Sequence, residues 1–215
     1  MKLDKKSMLL YAVTDRMWTG RQTLYQQVEC ALKGGITCLQ LREKNLDDSN
    51  FFDEAVQIQK LCKKSNIPFI INDNVEIAVK CGADGVHVGQ HDMKAKDVRK
   101  IIGDNMILGV SAQTVEQAVL AEKNGADYLG VGAVFNTSTK NDAESVSFET
   151  LSRICSAVSI PVVAIGGISK KNILSLSGLG TDGVALVSAV FAADDIEKEC
   201  RELRLLSEQM VNGKQ

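Results

Sequence analysis

Short β-branched runs alternate with longer amphipathic stretches along the whole chain, and this alternation restricts the fold more tightly than any other feature. Strands are predicted at Met8–Asp15, Cys38–Glu43, Phe69–Asp73, Gly85–Gly89, Ile107–Ser111, Tyr128–Val134, Pro161–Ile168 and Gly183–Val190. Helical periodicity covers Leu24–Lys33, Ser49–Lys64, Val75–Cys81, Ala95–Ile102, Val115–Asn124, Phe148–Val158 and Lys171–Leu176, and Asp195–Met210 closes the chain. Eight strand–helix pairs in 215 residues predict an α/β fold, a parallel eight-stranded (β/α)8 TIM barrel forming a single domain over 1–215. An open doubly wound sheet is the alternative, but it leaves the eighth unit nowhere to close.

An internal repeat supports the barrel. Gly82-Ala83-Asp84-Gly85-Val86, Gly125-Ala126-Asp127-Tyr128-Leu129 and Gly180-Thr181-Asp182-Gly183-Val184 stand at predicted helix-to-strand junctions, with Gly35-Ile36-Thr37-Cys38-Leu39 as a degenerate copy. In each, glycine ends the helix in a left-handed conformation and the chain turns directly into the next strand. Both prolines, Pro68 and Pro161, also precede strands, where they stop a helix without removing a central ladder donor.

Composition excludes several functional classes. At 45% apolar and 24% charged the chain is neither disordered nor fibrous, and a net charge of −2 lacks the positive field that non-specific nucleic-acid binding requires. Any anionic ligand must therefore be held locally. The six cysteines include no C-x-x-C pair and lie mostly in apolar runs, as small buried hydrophobes of a reducing compartment do. The apolar run from Met8 to Thr14 is too short for a signal-peptide core, and no stretch approaches a membrane span, so a cytoplasmic protein without membrane partners is expected. Self-association is left open.

In a barrel of this kind the C-terminal strand ends form the active face. Alternation turns Leu39 and Leu41 toward the helices and Gln40 and Arg42 toward the mouth. Polar residues gather at the other strand ends too: Asn72-Asp73-Asn74, Gly89-Gln90-His91-Asp92, Ser111, Asn136-Thr137-Ser138-Thr139-Lys140, Gly166-Gly167 and Val187-Ser188. Arg42, Lys44 and Lys140 converge as cations, while Asp73 and Asp92 follow neighbouring strands and can share a Mg²⁺ ion, which takes one or two carboxylates and completes its shell with water and phosphate oxygens. That combination suits a diphosphate. The glycines after strand 7 and the turn after strand 8 suit a phosphate monoester, so two phosphorylated small-molecule substrates are implied. Each feature alone has a plain structural explanation, aspartates as helix caps and Gly-Gly as a tight turn. His87 alternates with Val86 and Val88 and is expected to point inward as a satisfied core histidine, whereas Trp18 suits either the mouth or a loop anchor.

Taken together, Gln40-Leu41-Arg42-Glu43-Lys44, Ile71-Asn72-Asp73, Gly85-Val86-His87-Val88-Gly89-Gln90-His91-Asp92, Leu108-Gly109-Val110-Ser111, Thr137-Ser138-Thr139-Lys140, Ile165-Gly166-Gly167-Ile168 and Val187-Ser188-Ala189 resemble the motifs of the thiamine phosphate synthase (thiamine-phosphate pyrophosphorylase) family over nearly the whole chain. The resemblance implies a Mg²⁺-dependent transferase that moves the 4-amino-2-methylpyrimidin-5-ylmethyl group from its diphosphate to a thiazole phosphate, giving thiamine phosphate and diphosphate by a dissociative route. It implies that Gln40, Leu41, Arg42, Glu43, Lys44, Asn72, Ser111 and Lys140 hold the pyrimidine diphosphate, with Arg42, Ser111 and Lys140 catalytic. Asp73 and Asp92 would ligate the metal, and Thr137, Ser138, Thr139, Gly167, Val187 and Ser188 would hold the thiazole phosphate. Ala133 and Asn136 stand where the family usually has proline. The rivals are a thiazole tautomerase on the same barrel, which needs no metal–diphosphate site, and a non-catalytic phosphate-binding barrel.

Overall fold

The computed structural model of the chain describes residues 3–20, 22–136 and 145–213. Eight parallel strands close into a barrel in sequence order: β1 Leu10–Val13, β2 Cys38–Leu41, β3 Phe69–Asn72, β4 Gly85–Val88, β5 Ile107–Ala112, β6 Tyr128–Val131, β7 Val162–Ile165 and β8 Gly183–Leu186. Around them lie α1 Leu24–Lys33, α2 Asp48–Lys64, α3 Val75–Cys81, α4 Ala95–Ile102, α5 Val115–Lys123, α6 Phe148–Ala157, α7 Ser188–Phe191 and α8 Ile196–Asn212. The helix starts are set by side-chain caps. Thr23 makes a reciprocal capping box with Gln26, while Asp47, Asn74, Thr114, Ser147 and Asp195 each accept a backbone N–H from the first turn.

Several strands are shorter than expected, among them β1, β6 and β7, and two elements differ in type. After β7 only a 3₁₀ turn forms, Ile173–Leu176, because Ile173 and Leu176 are the buried pair and their three-residue spacing suits the tighter helix. The strand predicted to Val190 ends at Leu186, and Ser188 begins α7. Val190 and Phe191 are buried on a helical face, and a short apolar run does not by its hydrophobicity distinguish strand from helix.

The barrel separates two cores. Leu10, Ala12, Leu39, Leu41, Ile71 and Val86 face outward under the helices, whereas Tyr11, Val13, Cys38, Ile70, Tyr128, Val163 and Ala185 fill the interior. Trp18 packs against the outer core, and its carbonyl accepts a hydrogen bond from Gln27 Nε2 at 2.7 Å, so it anchors a loop. Among the described residues no helix is long and apolar enough to cross a membrane. The six cysteines are free thiols, and burial pushes those of Cys62 and Cys200 up to about 12.

The repeat has a second function beside its glycine, whose left-handed form is seen at Gly82 (φ 68°). Its aspartate reaches back to the start of the preceding strand: Asp84 Oδ2 accepts from Phe69 N at 2.9 Å, Asp127 Oδ2 from Leu108 N at 2.8 Å and Asp182 Oδ2 from Val162 N at 3.0 Å. In the degenerate copy Thr37 Oγ1 accepts from Leu10 N at 2.8 Å. The same residues donate their own N–H groups to the carbonyls of Phe69, Leu108, Val162 and Leu10, closing a two-bond clasp at each junction. Replacing Asp84 by alanine leaves a part-buried strand donor without its acceptor, and is expected to lower the unfolding free energy by about 1–3 kcal/mol in urea denaturation.

Candidate active site

The strand register places inward residues beside inward residues all the way round. Tyr11 lies beside Cys38, Gln40 beside Ile70, Asn72 beside His87, His87 beside Gly109, Ser111 beside Gly130 and Val163 beside Gly183. Because side chains alternate along a strand, the polar members Gln40, Asn72, His87 and Ser111 must face the axis, and Arg42 follows Gln40 by two residues to the rim. They line a cavity of about 230 Å³ at the C-terminal mouth. Its other walls include Gly166 and Gly167 after β7, and Val187 and Ser188 at the start of α7. A Cβ on Gly167 would lie 2.4 Å from the Asn136 carbonyl oxygen, and φ there is +64°, so only glycine lets the segment after β6 lie against this turn.

The interior polar groups form one continuous chain. Gln40 Nε2 donates to Tyr11 Oη at 2.8 Å, and Tyr11 Oη lies 2.7 Å from Tyr128 Oη. His87 Nδ1 is 3.0 Å from Tyr128 Oη and its Nε2 is 3.0 Å from Ser111 Oγ. Gln90 Nε2 donates to the Ser111 carbonyl at 2.5 Å and fixes the strand end. Burial raises both phenols well above their usual range, and the neighbouring hydroxyl or thiol raises them further, so both remain protonated. Glycines make the room: a Cβ on Gly109 would lie 2.2 Å from Tyr128 Cζ and 2.5 Å from His87 Nδ1, and one on Gly130 would lie 3.1 Å from His87 Cε1.

The rim is charged and internally paired. Arg42 receives its backbone position from Thr14, whose Oγ1 accepts the Arg42 N–H at 2.9 Å, and its guanidinium meets Asp15 Oδ2 at 3.1 Å. Lys44 Nζ lies 2.5 Å from Asp73 Oδ2, and Asp73 adopts φ 62°, a left-handed form that aspartate tolerates. Asp92 folds back so that its Oδ2 accepts the Gly89 N–H at 2.8 Å. In both aspartates Oδ2 is thus engaged.

The structure brings Gln40, Arg42, Asn72, Ser111, Gly167, Val187 and Ser188 to the cavity, with Lys44, Asp73 and Asp92 on the strand-end loops beside it. It turns two of the expected ligands away. Leu41 is fully buried in the outer core, because it has the opposite parity to Gln40 and Arg42. The Glu43 side chain, only 2% exposed, pairs with Arg16 at 3.0 Å. Burial pushes Glu43 up against the pull of Arg16, and the carboxylate of Glu54 on the same guanidinium pushes the same way. Glu43 therefore braces the strand end. Thr137, Ser138, Thr139 and Lys140 lie outside the described residues.

Tyr11, Tyr128, Gln90 and Gln113 also line the cavity and were not singled out from the sequence as ligands. The signal for Tyr128 was present in the repeat, where it occupies the inward position that Gly85 and Gly183 hold in the other copies. His87 points inward as expected, with both ring nitrogens engaged.

Comparison with known proteins gives this mouth a family. The model described as thiamine monophosphate synthase matches residues 10–190. The chain is 51% identical over 194 residues to a thiamine-phosphate synthase of Ruminiclostridium cellulolyticum, covering 90% of this chain and 92% of that protein. It is 49% identical over 201 residues to the one from Clostridioides difficile, covering 94% and 96%. Among solved structures, the thiamine phosphate pyrophosphorylase from Pyrococcus furiosus superposes with a TM-score of 0.89 at 38% identity over 96% of this chain and 98% of that one. A match along the full set of strands that build the cavity, at half identity, shows more than a shared barrel: the chain belongs to the thiamine monophosphate synthase family.

Proposed function

We propose that the enzyme transfers the 4-amino-2-methylpyrimidin-5-ylmethyl group from its diphosphate to the ring nitrogen of a thiazole phosphate. The observation that carries this reading is one cavity with two unlike walls. Arg42, Asn72 and Ser111 present donors on the β2, β3 and β5 side, while the Gly166-Gly167 turn and the Val187-Ser188 start of α7 present backbone across the barrel. The first wall suits a diphosphate and the second a phosphate monoester. Gln40 gives its amide N–H to Tyr11 and so keeps its Oε1 as an acceptor, the complement of an amino substituent on the pyrimidine.

In the dissociative step the C–O bond to diphosphate breaks with its electron pair leaving on oxygen, and the aminopyrimidine stabilises the resulting cation. The thiazole nitrogen then supplies the pair for the new C–N bond, so no proton needs to be abstracted. The cavity contributes orientation, exclusion of water and donors aimed at the departing oxygens. Arg42 has the planar fork for this, released from Asp15 as the stronger anion enters.

Asp73 and Asp92 would hold Mg²⁺, which when bound neutralises charge on the departing diphosphate. The donor set fits that ion: two carboxylates, each with one oxygen already committed, suit a cation that keeps waters and takes phosphate oxygens. Among the described residues no group of three or more His, Cys, Asp or Glu side chains could hold a metal unaided, so the ion is expected to bind together with the diphosphate.

Purified protein incubated with both substrates and Mg²⁺ is expected to form thiamine phosphate and diphosphate in equal amounts, with turnover lost in a chelator and restored by excess Mg²⁺. Binding of both substrates without product would sink the proposal. Isomerisation of the thiazole phosphate alone would favour a tautomerase.

A further inference from the structure

The interior hydrogen-bond chain has a direction, and that direction ends at the reacting centre. We infer that Tyr11, Tyr128 and His87 are positioning residues that aim the Ser111 hydroxyl hydrogen into the cavity, at the oxygen that leaves.

The direction follows from donors and acceptors counted link by link. Gln40 Nε2 cannot accept, so Tyr11 Oη is the acceptor of that bond and its single hydrogen must go elsewhere. Its neighbours are the Tyr128 oxygen at 2.7 Å and the Cys38 thiol, and the thiol is much the weaker acceptor. Tyr128 thus receives a hydrogen from Tyr11 and turns its own toward His87 Nδ1 at 3.0 Å. A ring that accepts at Nδ1 carries its hydrogen on Nε2, and that hydrogen meets Ser111 Oγ at 3.0 Å. The serine oxygen is then already an acceptor, and its hydrogen is left to point into the cavity that Ser111 lines.

The opposite polarity would be costly for the chemistry. With the hydrogen on Nδ1, Nε2 would accept from Ser111 and draw the hydroxyl away from the cavity. Five side chains from five strands, seated by glycines at 109 and 130 where any Cβ would press on the rings, specify one of these two states. A core filled for stability alone would use apolar side chains at these positions, because buried polar chains are tolerated only when fully satisfied.

The kinetic part of this inference rests on the reaction proposed above, whereas the tautomer of His87 does not. The chain holds two histidines, so long-range ¹H–¹⁵N correlation on protein labelled at histidine nitrogen resolves His87 from His91. The expected wild-type result is a hydrogen on Nε2 and none on Nδ1. Tyr128→Phe removes the donor to Nδ1, and should release the ring to the other tautomer while lowering kcat about tenfold. That is a fraction of the roughly 10²–10³ lost when an oxyanion donor is removed outright. Its KM for the pyrimidine diphosphate should stay within about twofold, since Gln40 keeps its 2.8 Å partner Tyr11.

Tyr11→Phe also deletes one buried hydroxyl but leaves Tyr128 free to donate to His87. It should keep the wild-type tautomer and instead raise the KM for the pyrimidine diphosphate, because Gln40 loses the partner that orients its amide. If Tyr128→Phe does not fold, His87→Gln against His87→Leu asks the same question. Glutamine can accept from Tyr128 and donate to Ser111, so it should retain turnover that leucine loses. A hydrogen on Nδ1 in the wild type overturns the inference, and so do equal kcat losses in the two tyrosine variants with the tautomer unmoved. Should the wild type form no thiamine phosphate, the reaction assigned above fails, and the same spectra still decide the direction of the chain.

Discussion

Ser111→Ala is expected to lower kcat by about 10²–10³ while both substrates continue to bind, measured by single-turnover formation of thiamine phosphate. The expectation rests on what alanine leaves intact. Gln90 holds the backbone carbonyl of residue 111, and Gly109 and Gly130 set the space around His87, so neither the strand end nor the cavity wall depends on the hydroxyl. What disappears is one donor whose value rises as charge develops on the departing oxygen. Such a loss is expected in kcat, because in the proposed reaction Arg42 and a bound Mg²⁺ would still hold the ground-state diphosphate. A rise in KM with kcat unchanged would place Ser111 in binding alone, and would remove the endpoint toward which Tyr128 and His87 are directed.

The second large effect is on the fold. A methyl group on Gly183 would lie 1.9 Å from the Met8 carbonyl oxygen and 2.6 Å from Leu9 Cα, at the seam where β8 meets β1. These neighbours are backbone and have no rotamer into which to retreat. Gly183→Ala is therefore expected to cost more than about 3 kcal/mol, above the 1–3 kcal/mol usual for overpacking. Gly20→Ala is the matching control. Nothing lies within 4 Å of its added Cβ, and a change within about 0.5 kcal/mol is expected. Urea denaturation of both variants reads the difference, and a Gly183→Ala protein as stable as Gly20→Ala would mean that the seam can open to admit a side chain.

Local chemistry made most of the architecture legible. α1, α3 and α4 fall at the boundaries expected from periodicity, and the glycine-led repeat marked where strands begin. The mouth followed from period-two alternation, which is why Gln40, Arg42, Asn72 and Ser111 face the cavity together. A contiguous motif, however, does not respect that alternation. Leu41 and Glu43 stand in the same five-residue run and point the other way, one into the outer core and one to Arg16. The chain through Tyr11 and Tyr128 was not legible at all, because its central bond joins residues 117 positions apart. Likewise, α7 was hidden inside an apolar run that suits a strand equally well.

The clasps at the strand starts bear on the site at the other end of the barrel. A strand displaced by one residue presents its opposite face, which in β2 would send Gln40 to the helices and Leu39 to the axis. In the three aspartate copies and the threonine copy alike, such a slip would first have to part a paired donor and acceptor at the junction. These four junctions therefore act as registration marks. Set at the strand starts, opposite the mouth, they fix which side chains that mouth displays.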